Sequence, residues 1–216
     1  MGNLLGMIMI FLSQFMKKGW RLLLVLGLAH GDMAWAADTY SNVKITPQSQ
    51  ISMHFYDIQA DTAPGLKQQL MASAPQVAPG KRAIGKAVYQ LSWQLDASQQ
   101  PQGCQLYGVQ VTTKVELILP NWLQLATMPA DAQASWNTFL GAMQEYEGKH
   151  KAIIKQAALA IGDGLATLPV NTSCQALRVE ADRLGEMKIR EAQEQARRYQ
   201  SETGNGRYMG VAYPNL

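Results

Sequence analysis

Between Trp136 and Ile161 the chain reads WNTFLGAMQEYEGKHKAIIKQAALAI, an amphipathic helix whose apolar side is not wholly apolar. Advancing about 100° per residue, Trp136, Phe139, Leu140, Met143, Ile153, Ile154, Ala157 and Ile161 share one stripe. Tyr146, Glu147 and His150 fall in that same stripe, whereas Glu145 lies off it and is expected in solvent. A carboxylate and an imidazole on the core-facing side of a helix must each find a partner or lose solvation energy. Any fold for this chain has to bring something to meet them.

The segments before this helix read as strands. Ile51 to Ile58 and Ala87 to Trp93 alternate, and Gln105 to Leu119 alternates most clearly. In that last stretch Tyr107, Val109, Val111, Val115, Leu117 and Leu119 occupy one parity, and Gln110, Thr112, Lys114 and Glu116 the other. Pro120 is expected to end it. Asp61-Thr62-Ala63-Pro64 opens a short helix that buries Leu66 and Leu70. Ala74 to Gly85 reads as a loop and Asp96 to Gly103 as a polar turn. The central helix is expected to be capped by Ser135 or Asp131 and to stop at Gly162-Asp163-Gly164. A long polar helix follows, opened by Thr172 or Ser173 and running to about Tyr199. Its seam is Leu177, Ala181, Leu184, Met187, Ala192, Ala196 and Tyr199. Strands first and helices second predict an α+β fold, a small antiparallel sheet packed against the central helix and the long C-terminal helix.

The N-terminus reads as an address. Lys17, Lys18 and Arg21 precede the apolar run Leu22 to Ala29, and Ala34-Trp35-Ala36 carries small residues where a signal peptidase reads. Residues 1–36 are therefore expected to be a signal peptide cleaved after Ala36, with translation starting at Met1 or at Met16, and residues 37–216 a single domain. No later segment approaches the ~18 apolar residues of a membrane span, so no transmembrane segment is expected after cleavage. The mature chain would hold sixteen basic and fifteen acidic residues and no basic block, which argues against a nucleic-acid partner. Its two cysteines, Cys104 and Cys174, lack metal-site spacing. In an exported chain they favour a disulfide over two separate buried thiols.

A set of residues in order gives the chain a likeness. Tyr56-Asp57-Ile58 is followed by Thr62 and Leu66, then Trp93, Cys104, Leu119-Pro120-Asn121-Trp122, Trp136 and Cys174. Tyr199, Glu202-Thr203-Gly204-Asn205-Gly206, Gly210 and Pro214 close the series. Over almost the whole mature length the chain resembles a bacterial domain-of-unknown-function family described as predicted secreted zinc-dependent proteases. The resemblance implies an H-E-x-x-H motif on the central helix, with two histidines one turn apart on zinc and the glutamate polarising its water. Here the stretch reads Tyr146-Glu147-Gly148-Lys149-His150, so Glu147 and His150 match and Tyr146 stands where the first histidine would be. A Thr-x-His-Gly tail is also implied, and here it reads Thr203-Gly204-Asn205-Gly206, with Asn205 in the place of the third ligand.

Only three histidines occur, His30, His54 and His150, and His30 would leave with the leader. The mature chain therefore cannot assemble three histidine ligands, and the alternation of the first strand places His54 at an outward or edge position. Tyr146 has two readings. Either its phenolate binds zinc, or, as the ordinary phenol pKa near ~10 favours, the neutral ring fills the vacated space and hydrogen-bonds Glu147, His150 or Asn205. Zinc is accordingly doubtful as a cofactor. The expectation is an exported periplasmic or secreted pseudo-protease or binding module for a peptide, a glycan or an envelope protein. The alternative is a metallopeptidase with a rebuilt site, in which His150 is a ligand and Glu147 the general base.

Overall fold

Two long strands joined by a tight turn form the centre of the sheet. In the computed structural model, which describes residues 8–13 and 43–211, β5 (Lys86–Gln100) and β6 (Gly103–Trp122) pair antiparallel along their whole length. The residues expected to form a polar turn, Asp96 to Gly103, instead continue this hairpin past a bulge at Asp96/Ala97. Side-chain bonds hold its end: Gln100 Nε2 donates to Ser98 Oγ at 2.9 Å and to Tyr107 Oη at 3.0 Å. β6 also runs through Pro120. β5 begins opposite Ile118, so beyond that point only one neighbouring strand pairs with β6.

A third strand, β2 (Lys44–Ile58), lies on the other side of β6, and the two run parallel, Lys44 opposite Gly108 and Ile58 opposite Trp122. The sheet is thus mixed, not antiparallel throughout as the sequence suggested. The connection explains it. From the end of β2 the chain passes through α1 (Ala63–Ser73) and a small ribbon, β3 (Gln76–Ala78) with β4 (Lys81–Arg82). It re-enters the sheet at the same end, since Lys86 sits opposite Ile118. β5 therefore runs against β2, and β6, inserted between them, must return parallel to β2. The predicted leader lies outside the described residues apart from Ile8–Ser13, which forms a short strand, β1, parallel to β5.

One face of the sheet carries two helices. α2 (Ala130–Ala166) starts behind Pro129 without the side-chain cap expected from Ser135 or Asp131, both of which lie inside it, and passes through Gly162 and Gly164 without stopping. Those glycines are contact points. A side-chain carbon at Gly162 would stand 3.0 Å from Ile45, and one at Gly164 3.1 Å from Leu184. Packing of the buried stripe outweighs a helix-propensity loss of about 1 kcal/mol at each. α3 (Cys174–Glu202) begins at Ser173, whose hydroxyl accepts from the Ala176 N–H at 3.1 Å. Its seam runs through Gly185 and Ile189 rather than Met187, because the Trp93 ring fills the space over Gly185. Cys104 and Cys174 are joined in a disulfide, and Cys104 also bridges to Asn171, fixing the start of β6 to the start of α3. The fold is α+β.

Candidate functional site

The course of α2 over the sheet decides what meets its polar stripe. Near its start Trp136 packs edge-on against Trp122 of β6, with ring centroids 5.5 Å apart. Near its end Gly162 lies over Val111 and Ile45. Between these points the helix crosses Tyr89 of β5, whose hydroxyl donates to Glu147 Oε2 at 2.8 Å across the layer. Ala87, Tyr89 and Leu91 alternate inward on that strand and are all buried, so the phenol is delivered by ordinary strand parity.

On its other flank the stripe meets α3. The Tyr146 ring stacks on Tyr199 at 5.3 Å, and His150 stands edge-on to both, 4.8 Å from Tyr146 and 5.1 Å from Tyr199. Tyr146 is 0% exposed, His150 1% and Glu147 7%. The turn after α3 closes on the same ring. Gly204, Asn205 and Gly206 all have positive φ, and a side-chain carbon at Gly206 would come within 3.2 Å of Tyr146. The Thr203 hydroxyl donates to the Tyr199 carbonyl at 2.7 Å and accepts from the Gly206 N–H at 3.2 Å. Although near enough to lower the Tyr146 pKa slightly, it does not bond the phenol. Asn205, half-buried, uses its N–H on the Gln200 carbonyl at 2.7 Å.

Tyr146, Glu147, His150 and the tail turn are thus brought together, and His54 is not. It lies on exposed β2, 3.8 Å from Glu116. Glu145 is exposed. The hydrogen bonding differs from the self-contained cluster expected for Tyr146. Its hydroxyl and both ring nitrogens of His150 make no hydrogen bond to protein, and Glu147 is bonded by Tyr89, which the sequence reading did not single out. Two shallow depressions lie elsewhere, lined by residues such as Gln50, Gln90 and Lys114.

Residues 53–206 match the family described as "Bacterial protein of unknown function (DUF922)". The chain belongs to the DUF922 family. No curated protein and no solved structure matches it. The DUF922 segment runs from the middle of β2 to Gly206, so its last residue is the one packed on Tyr146, and every member of the cluster lies inside it.

Electrostatically this DUF922 cluster is set by burial. Glu147 is pushed up to about 7 by loss of water, with the Tyr89 hydrogen bond pulling in the opposite direction. His150 is pushed down to about 4 by the same burial. The phenols of Tyr89 and Tyr146 are raised, first by burial and then by the neighbouring Glu147 charge, and stay protonated. A catalytic zinc centre needs three protein donors besides water. Among the described residues no three His, Cys, Asp or Glu side chains stand together as a metal-binding group. The donors here are one imidazole, one carboxylate engaged by Tyr89, and neutral phenols, a set that does not fit zinc.

Proposed function

We propose that this DUF922 protein is an exported, zinc-protease-like binding protein with a degenerate metal site, a pseudo-protease that holds a peptide, glycan or envelope-protein partner without cleaving it. The observation that carries this reading is Tyr146. It occupies the position of the first expected ligand as a buried, protonated phenol stacked on Tyr199. Asn205, at the third position, offers at best a weak neutral donor. The leader-like N-terminus supports export. Among the described residues no helix is long and apolar enough to cross a membrane.

A rebuilt metallopeptidase is the second reading, and it draws on His150. Two buried nitrogens without a protein partner are costly, and Glu147, one turn earlier on the same helix and poised near 7, has the pKa of a general base. Assays of the mature protein on unstructured and folded polypeptides, with zinc and with chelator, separate the two. The binding reading predicts no chelator-sensitive cleavage and no difference between wild type and Glu147→Gln. Cleavage abolished by both chelator and that substitution would make the protein an enzyme.

A further inference from the structure

Among the described residues β2 forms one edge of its sheet, and every residue from Lys44 to Phe55 on it is exposed. Four of these are large and apolar and share one parity: Ile45, Ile51, Met53 and Phe55 are 38%, 51%, 52% and 59% exposed. By register Ile51, Met53 and Phe55 sit beside Val115, Leu117 and Leu119 of β6 and face the helix side of the sheet, since Val115 also pairs with Tyr89. α2 leaves them half exposed: at Glu147 it takes a hydrogen bond from Tyr89 of β5, two strands away, and near Gly162 it meets Ile45.

Long edge strands are ordinarily defended by charge, bulges or brevity. β2 is fifteen residues long and pairs with β6 without a bulge. Between Lys44 and Asp57 it carries no Lys, Arg, Asp or Glu, and its one proline, Pro47, removes a single donor.

The geometry points to β2 as the surface on which a second copy of this chain adds antiparallel, joining two sheets into one. The strand is complementary to itself when paired about Gln50. A two-fold axis perpendicular to the sheet at Gln50 keeps the helices of both copies on the same side and pairs each residue with one of the same parity. On the helix side it sets Ile45 opposite Phe55 and Pro47 opposite Met53 of the second copy. On the other side it sets Thr46 opposite His54, Gln48 opposite Ser52, and Gln50 opposite Gln50. No like charges meet, and every pair joins apolar to apolar or polar to polar except Ser49 with Ile51. Moving the axis to Ile51 places Asp57 opposite Ile45, and moving it to Ser49 sets Lys44 beside His54 and leaves Phe55 opposite Val43, outside the strand, so the Gln50 register pairs the longest matched stretch. The interface leaves the Tyr146 cluster untouched and does not depend on the function proposed above.

The test is the association state of the mature protein, residues 37–216 with the disulfide intact, by sedimentation velocity across a concentration series. A reversible dimer is expected, weakened at least tenfold by Met53→Lys or Phe55→Lys, each of which puts an ammonium group into the apolar row. Both cysteines are in the native disulfide, so one added cysteine can carry a spin label alone. Labels at Gln50→Cys should lie within about 20 Å of each other. Labels at Lys44→Cys should be about 40 Å apart, twelve residues along the strand at about 3.3 Å each. A monomer at all concentrations, a dimer indifferent to both lysine substitutions, or label distances in the reverse order would overturn the proposal.

Discussion

At the residue scale, Glu147 and His150 pull stability in opposite directions with pH. The folded state raises the Glu147 pKa from 4.5 to about 7, so stability from the buried neutral acid is full below about 4.5 and is lost as pH rises through 7. The folded state lowers the His150 pKa from 6.5 to about 4, so its contribution is full above about 6.5 and is lost as pH falls through 4. Between about 4.5 and 6.5 the slopes oppose, and from this pair stability should be nearly independent of pH. Urea unfolding across that window should show Glu147→Gln gaining stability as pH rises and His150→Gln gaining it as pH falls. Parallel slopes in the two variants would mean the groups are not buried as described. A second expectation concerns Tyr89→Phe, which leaves Glu147 short of a hydrogen bond and should cost about 1–3 kcal/mol above pH 8, where the carboxylate is ionised. The grouping of Tyr146, Glu147 and His150 was legible from helical periodicity because they share one helix. Tyr89 was not, because it arrives from a strand 58 residues away and looks like any inward strand position.

At the scale of elements, the glycines of the helices separate into two kinds. A side-chain carbon at Gly185 would lie 2.4 Å from the Trp93 ring, which is itself held by a 3.1 Å hydrogen bond from its Nε1 to Asp182. Gly185→Ala should therefore destabilise the fold by about 1–3 kcal/mol through overpacking. Gly141 on α2 is exposed with nothing near it, and Gly141→Ala should stabilise by about 0.5–1 kcal/mol. Denaturant midpoints of the two variants should move in opposite directions, and a shift of the same sign would show that the α3–β5 contact is looser than described. The starts of α1 and α3 were well marked in the sequence, as Thr62 and Ser173 show by accepting from Gly65 and Ala176, whereas α2 starts behind Pro129 with no side-chain cap. Their ends were not. Gly162 and Gly164 carry the ordinary signal for a helix stop, yet here they admit Ile45 and Leu184, which no local pattern reveals. The parallel pairing of β2 with β6 was hidden for a related reason, since it follows from where the chain re-enters the sheet.

At the scale of the molecule, the disulfide and two facing helices make the cluster a closed part of the core. Cys104 and Cys174 close a loop of 70 residues, worth about 4 kcal/mol in the chain-entropy model, and tie the central hairpin to the helix that supplies Tyr199. The α+β layering was readable from strands preceding helices, and the disulfide from the leader-like N-terminus and the cysteine count. Membership of DUF922 brings these features together without assigning an activity. On the function proposed above, Tyr146, Glu147, His150 and Asn205 hold no zinc. The most direct test of that reading is the metal content of the mature, oxidised protein after loading with zinc and desalting. Far less than one zinc per chain, unchanged in His150→Ala, is the expected result. One zinc per chain, lost in His150→Ala, would contradict that reading and favour the rebuilt metallopeptidase.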